Sequence, residues 1–252
     1  MHLDVADLKQ FYETPLGAVT RRMLRRQIRA LWPDVSHSKV LGLGYATPYL
    51  RPFLNEAERV LGFMPGGQGV IAWPHDGPGL TTLTDERELP LPDAAIDRIL
   101  IIHALETSDA AESMLREVWR ILAPGGRLLI VVPSRRGFWA QSETTPFGHG
   151  RPFSRSQLSR LLRDHLFTPT QWGAGLHFWP VRGKMLLRWA GAFETIGARW
   201  LPALAGVHLV EASKQIYAVP YDGTLKRVRR AAPILVLPTP NPVPRNTLYW
   251  AA

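Results

Sequence analysis

The stretch ELPLPDAAIDRILIIHALETSDAAESMLREVWRILAPGGRLLIVVP, Glu88 to Pro133, decides the fold. From Asp97 to Ile102 it runs apolar with little alternation, the pattern of a strand buried on both faces. A helix follows from about Ser108 to Leu122, with Ala111, Met114, Leu115, Val118, Trp119 and Leu122 at helical spacing. Pro124-Gly125-Gly126 cannot continue it and turns the chain into a second apolar run, Gly126 to Pro133. Strand, helix and strand in this order read as one crossover unit of a parallel sheet.

The same alternation extends in both directions. Lys39 to Gly44, Arg59 to Phe63, Leu80 to Thr84, Thr168 to His177 and Val207 to Val219 read as further strands. The expected fold is therefore α/β: a Rossmann-like, seven-stranded, mostly parallel sheet with helices on both faces and an inserted helix before the last strand. A second clear helix starts at Ser154, whose hydroxyl can cap it with Gln157 as the capping-box partner, and ends near His165. Residues 1–220 form one domain in this reading, with N-terminal helices in 1–38, the core in 39–220 and the inserted helix at about 180–205. The proline-rich basic stretch 221–252 has no period that could build a core and reads as a tail.

Composition narrows the chemistry. With no cysteine, the chain has no disulfide, thiolate nucleophile or cysteine metal ligand. The eight histidines are scattered without metal-binding spacing, so no metal site is expected. The amino terminus lacks the order of a secretory signal, and the apolar window Met185 to Val210 is broken by Arg188, Glu194, Arg199 and Pro202. A cytoplasmic protein is the expectation. Much of the net charge of +9 falls on Arg21, Arg22, Arg25, Arg26 and Arg29, and on Lys226, Arg227, Arg229 and Arg230. A solvated helix face and a basic tail are the plain reading; RNA or an anionic membrane surface is the alternative.

Between the first strand and the next helix lies Val40-Leu41-Gly42-Leu43-Gly44-Tyr45-Ala46-Thr47-Pro48, whose small residues would let backbone approach a ligand at the carboxyl end of the sheet. Thr47 stands where a nicotinamide fingerprint needs its third glycine. Read together with Glu88–Asp97 and Leu115–Gly126, this loop resembles the motif set of the class I S-adenosylmethionine (SAM) methyltransferases. The later blocks look like that family's "LPFPDASFD" and "REVWRVLKPGG". The resemblance covers roughly Val40 to Val132 and is closest to the small-molecule, quinone and biotin-pathway branch.

The resemblance implies SAM as cofactor, lying across the carboxyl ends of the first four strands. It places Gly42, Gly44, Tyr45 and Ala46 near the methionine and ribose parts, Asp85 or Glu86 near the adenine, and His103 to Glu106 at the methyl-donor cleft. Two departures stand out. Gly42 occupies an acidic position of the family, and Met64 falls where a carboxylate would hold the ribose hydroxyls, leaving Gln68 in the glycine-rich loop as a polar substitute. Two readings follow: a methyltransferase with a rebuilt cofactor site acting on a small or lipid-like acceptor, or a pseudoenzyme that binds a protein or RNA partner. The first expects an open pocket beside Gly44 and Asp85; the second expects Tyr45, Met64 or Phe63 to fill it.

Methyl transfer gains most from positioning, with a general base needed only for a protonated acceptor. His103 is the first candidate by position and Glu106 the second, against the plain alternative of a satisfied strand-end histidine. Beyond the fifth strand, Arg135, Arg136, Trp139, His149 and Arg151 are substrate-contact candidates, the arginines for a carboxylate or phosphate and the aromatic rings for a planar group. Surface charge and loop packing explain them equally. In the inserted helix Met185, Trp189, Phe193, Ile196 and Trp200 form one apolar stripe. Packing on the domain core is the commonest role for such a stripe; a homodimer interface, a lid or a membrane contact are the others.

Overall fold

The computed structural model describes residues 3–180, 183–201 and 204–216. Two helices, α1 (Val5–Glu13) and α2 (Pro15–Leu31), precede β1 (Lys39–Gly44), the short α3 (Thr47–Leu50), β2 (Arg59–Pro65), β3 (Thr81–Thr84) and β4 (Ile96–Ile102). Then come α4 (Ala111–Ile121), β5 (Leu122–Pro133), α5 (Arg155–Asp164), β6 (Phe167–Gly175), α6 (Lys184–Trp200) and β7 (Val207–Lys214). The seven strands lie in the order β3-β2-β1-β4-β5-β7-β6, parallel except that β7 is antiparallel to both neighbours. The last strand is shorter than its apolar run suggests, ending at Lys214 before the described Gln215 and Ile216; residues 217–219 of that run and the tail, 221–252, lie outside the described residues.

Alternation along the central strands builds two cores. Leu100, Ile102, Leu129 and Val131 face α1, α2 and α3, while Ile99, Ile101, Leu128, Ile130 and Val132 face α4 and α5. Local signals set the helix ends. Thr14 caps the end of α1 and the start of α2, its hydroxyl accepting from the Gly17 amide. Gly17 is obligatory in this corner, because a Cβ would collide with the Phe11 carbonyl. Ser154 and Gln157 form the expected capping box.

Helix α4 ends at Ile121, earlier than its periodicity suggests. Leu122 already pairs with Ile96, so Pro124-Gly125-Gly126 sits inside β5, where the register shifts, instead of stopping the helix. The correction for α6 is larger. Its buried positions include Ala190 and Gly197, the latter against His177, while Trp189, Phe193, Ile196 and Trp200 are exposed. This aromatic stripe does not pack on the domain core.

The two sequence blocks between β3 and β5 form one clamp. Arg120 donates to the carbonyls of Leu89 and Leu91 and to the carboxylates of Glu117 and Asp93, and Glu117 accepts from the Leu89 amide. The blocks thus hold the loop after β3 onto α4. Arg120→Ala should lower stability by about 2 kcal/mol, read by urea denaturation. Arg120 also holds the Glu117 carboxyl below its ordinary value. A carboxyl depressed in the folded state contributes stability that is full above the unfolded value of about 4.3 and lost as pH falls through the lower folded value. Below about pH 4 the gap between wild type and Arg120→Ala should therefore narrow.

Candidate active site

The carboxyl ends of β1 to β4 meet along one edge of the sheet, where ligands bind in open α/β folds. At the end of β1, Gly44 has φ +86°, and a Cβ there would press on the Ile102 carbonyl and Ala104. Beyond β4, His103 has φ +55°, a conformation that costs a non-glycine residue about 1–3 kcal/mol and that occurs often at working sites. Its imidazole Nε2 is 2.7 Å from the hydroxyl of Tyr12, which accepts a 2.8 Å bond from the Tyr49 hydroxyl. With Tyr49 donating, the Tyr12 proton points to Nε2 and the ring proton belongs on Nδ1, 3.5 Å from Glu106 Oε1. The His103 carbonyl accepts a 2.6 Å bond from Gln68 Nε2.

This cluster is buried, Tyr12, Tyr45, Tyr49, His103, Glu106 and Gln68 alike; Tyr45 stacks on Tyr12 at 5.7 Å, and Phe147 covers the imidazole at 4.8 Å. Burial pushes the Tyr12 phenol well above its ordinary value, so the hydroxyl stays a donor. A backbone bond from the Val5 amide to the Gln68 carbonyl fixes α1 across the loop after β2. The space beside Gly44 is therefore filled, by Tyr45 as expected for a closed pocket and by Tyr12, which the sequence alone did not single out.

Farther along the edge the cleft opens. A cavity of about 540 Å³ is lined by Gly66, Gly67, Thr84, Asp85, Glu86 and Asp109, among others. Asp85 is half-exposed and bound by Arg87, which holds its carboxyl down to about 2. Glu86 is buried: one oxygen bonds the Ser108 hydroxyl and the other has no partner. Thr84 Oγ1, Gln68 Oε1 and both Glu106 oxygens are likewise buried without a hydrogen bond. Five acceptor atoms thus have no protein donor along the ends of β2, β3 and β4, and a buried unpaired acceptor costs about 1–3 kcal/mol unless a ligand or a bound water supplies the donor.

Other expected site residues are redistributed. Met64 is fully buried among the side chains that face α1 and α2, and Gly42 lies under Ala46 and Leu50, where a Cβ would not fit. Both are packing positions, as is the buried Ala46. Trp139 is also a correction: it is fully buried, donates to the Phe178 carbonyl and packs on Phe147, one layer behind His103. Arg135 and Arg151 come together in a second cavity of about 570 Å³, which shares Asp109 and Ala110 with the first. Arg136 opens to a different hollow beside Arg155 and His208, and His149 bonds the Glu143 carbonyl in its own loop. No cluster of metal-ligating side chains occurs among the described residues.

Residues 41–130 match the family model described as "Methyltransferase domain". Over these residues the chain carries a methyltransferase domain with the class I SAM-dependent fold. It is 32% identical over 127 residues to a "Probable S-adenosylmethionine-dependent methyltransferase" of Mycobacterium tuberculosis, covering 47% of this chain and 46% of that one. It is 36% identical over 80 residues to the ubiquinone/menaquinone biosynthesis C-methyltransferase UbiE of Caulobacter vibrioides, covering 31% and 29%. The chain thus spans less than half the length of these curated relatives. Among solved structures, a SAM-dependent methyltransferase of Thermotoga maritima superposes with a TM-score of 0.57 at 16% identity, covering 84% of this chain and 96% of that one. A Haloferax volcanii methyltransferase in complex with the activator Trm112 superposes at 0.59 and 17%, covering 85% and 100%. These likenesses show the fold. Among the described residues no helix is long and apolar enough to cross a membrane.

Proposed function

We propose that the protein is a SAM-dependent methyltransferase acting on a small or lipid-like acceptor. The row of buried acceptors without donors carries this reading. The adenosine part of SAM offers two ribose hydroxyls and an amine as donors, and Glu86, Thr84 and the Gly66–Gly67 turn line a cavity that could hold it. Glu86 then does the work that Met64 cannot, from the end of β3 instead of β2. With Arg87 paired to Asp85, the Glu86 and Asp109 carboxylates leave the lining acidic, which suits a cationic sulfonium ligand better than a phosphate.

SAM supplies an electrophilic methyl group and leaves as the neutral thioether S-adenosylhomocysteine. The chain's own part is positioning, exclusion of water and proton removal. His103 Nε2, once released from Tyr12, takes the acceptor proton while Glu106 faces the proton on Nδ1. Arg135 and Arg151, in the adjoining cavity, meet a carboxylate or phosphate on the acceptor. The methionine end of SAM needs room where Tyr12 now stands, so α1 swings away when it binds.

The filled space beside Gly44 favours a second reading, a non-catalytic module that binds a partner. Calorimetric titration with SAM and S-adenosylhomocysteine separates the two. Micromolar binding, accompanied by faster amide exchange in Val5–Glu13, is the expected result. No heat at millimolar ligand overturns the methyltransferase reading and leaves the second.

A further inference from the structure

Among the described side chains of helix α6, the large apolar ones, Trp189, Phe193, Ile196 and Trp200, face solvent, while Ala190 and Gly197 are buried against the domain. At 100° per residue, Trp189, Phe193, Ile196 and Trp200 fall within an arc of roughly 60°. Trp200 is 73% exposed and Trp189 61%, and the exposed Leu201 follows directly at the end of the helix. Packing of the helix on the domain uses Ala190, Gly197 and the Glu194 carboxylate, which accepts from the amides of Leu176 and His177. An apolar face of this size on a soluble surface marks a docking site.

Charge selects the occupant. Arg188 and Arg199 are exposed along one flank of the stripe, and the one acid in the helix, Glu194, is turned inward. Helix α2, against which α6 packs, exposes Arg22 and Arg26. A second copy of this chain would bring these guanidinium groups and two net charges of +9 against each other. Anionic headgroups instead neutralise the arginines while the indole rings sit at the boundary between headgroup and acyl chain.

We infer that α6 is an interfacial anchor that lays its Trp189–Trp200 face on an anionic phospholipid surface without spanning it. This stands apart from the methyltransferase reading and is tested without methyl transfer. The full chain is sedimented with vesicles of phosphatidylcholine alone and with vesicles containing one-third phosphatidylglycerol. Binding to the anionic vesicles is expected, falling at least tenfold in Trp189→Ala/Trp200→Ala and in Arg188→Glu/Arg199→Glu, and weakening with added salt. Because all four side chains are exposed, circular dichroism of the variants should match wild type. Equal binding by wild type and variants, or none, overturns the inference. So does a vesicle-free dimer in sedimentation equilibrium that the tryptophan variant dissociates, which would assign the face to a second copy.

Discussion

Glu86→Gln is expected to weaken SAM binding roughly tenfold to a hundredfold, because it removes an anionic acceptor that no other residue at the end of β2 or β3 replaces. Met64 cannot take hydroxyl donors, and the Asp85 carboxylate is bound by Arg87. The substitution keeps the size of the side chain and leaves a group that can still bond Ser108, so the unliganded protein should melt close to wild type. Calorimetry of both proteins measures the ratio of dissociation constants. An unchanged constant would remove Glu86 from the site and return the ribose to backbone groups of the Gly66–Gly67 turn.

Tyr12→Phe is expected to act in two directions at once. The hydroxyl it deletes is buried and bonded on both sides, so His103 Nε2 and the Tyr49 hydroxyl each lose a partner, and stability should fall by about 2–4 kcal/mol in chemical denaturation. If α1 must leave for SAM to enter, the same deletion lowers the cost of opening, and affinity should rise about tenfold for each 1.4 kcal/mol of that cost. Reduced affinity would instead mean that the Tyr12 hydroxyl touches the ligand. The stability change reads the closed cluster, and the affinity change reads whether closure competes with binding.

Partner identity follows the same logic. The arginine flank of the exposed α6 face favours anionic lipid over a protein partner. The basic stretch Lys226–Arg230, read from sequence as a tail that could meet RNA, lies outside the described residues.

Much of the fold was legible because its signals are local. Seven apolar runs give the seven strands within one to four residues at most described ends, and the Ser154 capping box gives a helix start. The clamp of Arg120 on Leu89 and Leu91 explains why two separated blocks carry so much of the resemblance: they are one structural unit in contact. The site was legible in outline only. The family resemblance put His103 to Glu106 after the fourth strand and Asp85 or Glu86 after the third. Nothing in the sequence ties Tyr12 to His103, 91 residues away, or marks Ser108 as the partner of Glu86. Met64, Gly42 and Trp139 look like site residues by position and turn out to be packing, because motif position does not say which way a side chain points.

By itself the sequence determined the order and type of the elements, since periodicity, caps and turn residues act over a few positions of chain. It also determined the parallel sheet and the edge at which a ligand must bind, because crossover connections leave little choice. Only the tertiary structure decided what stands in that edge and what covers α6. Apolar spacing states which residues share a face, while burial depends on the neighbours that the rest of the chain brings, and here those neighbours closed one half of the cleft with Tyr12 and left the tryptophan face open.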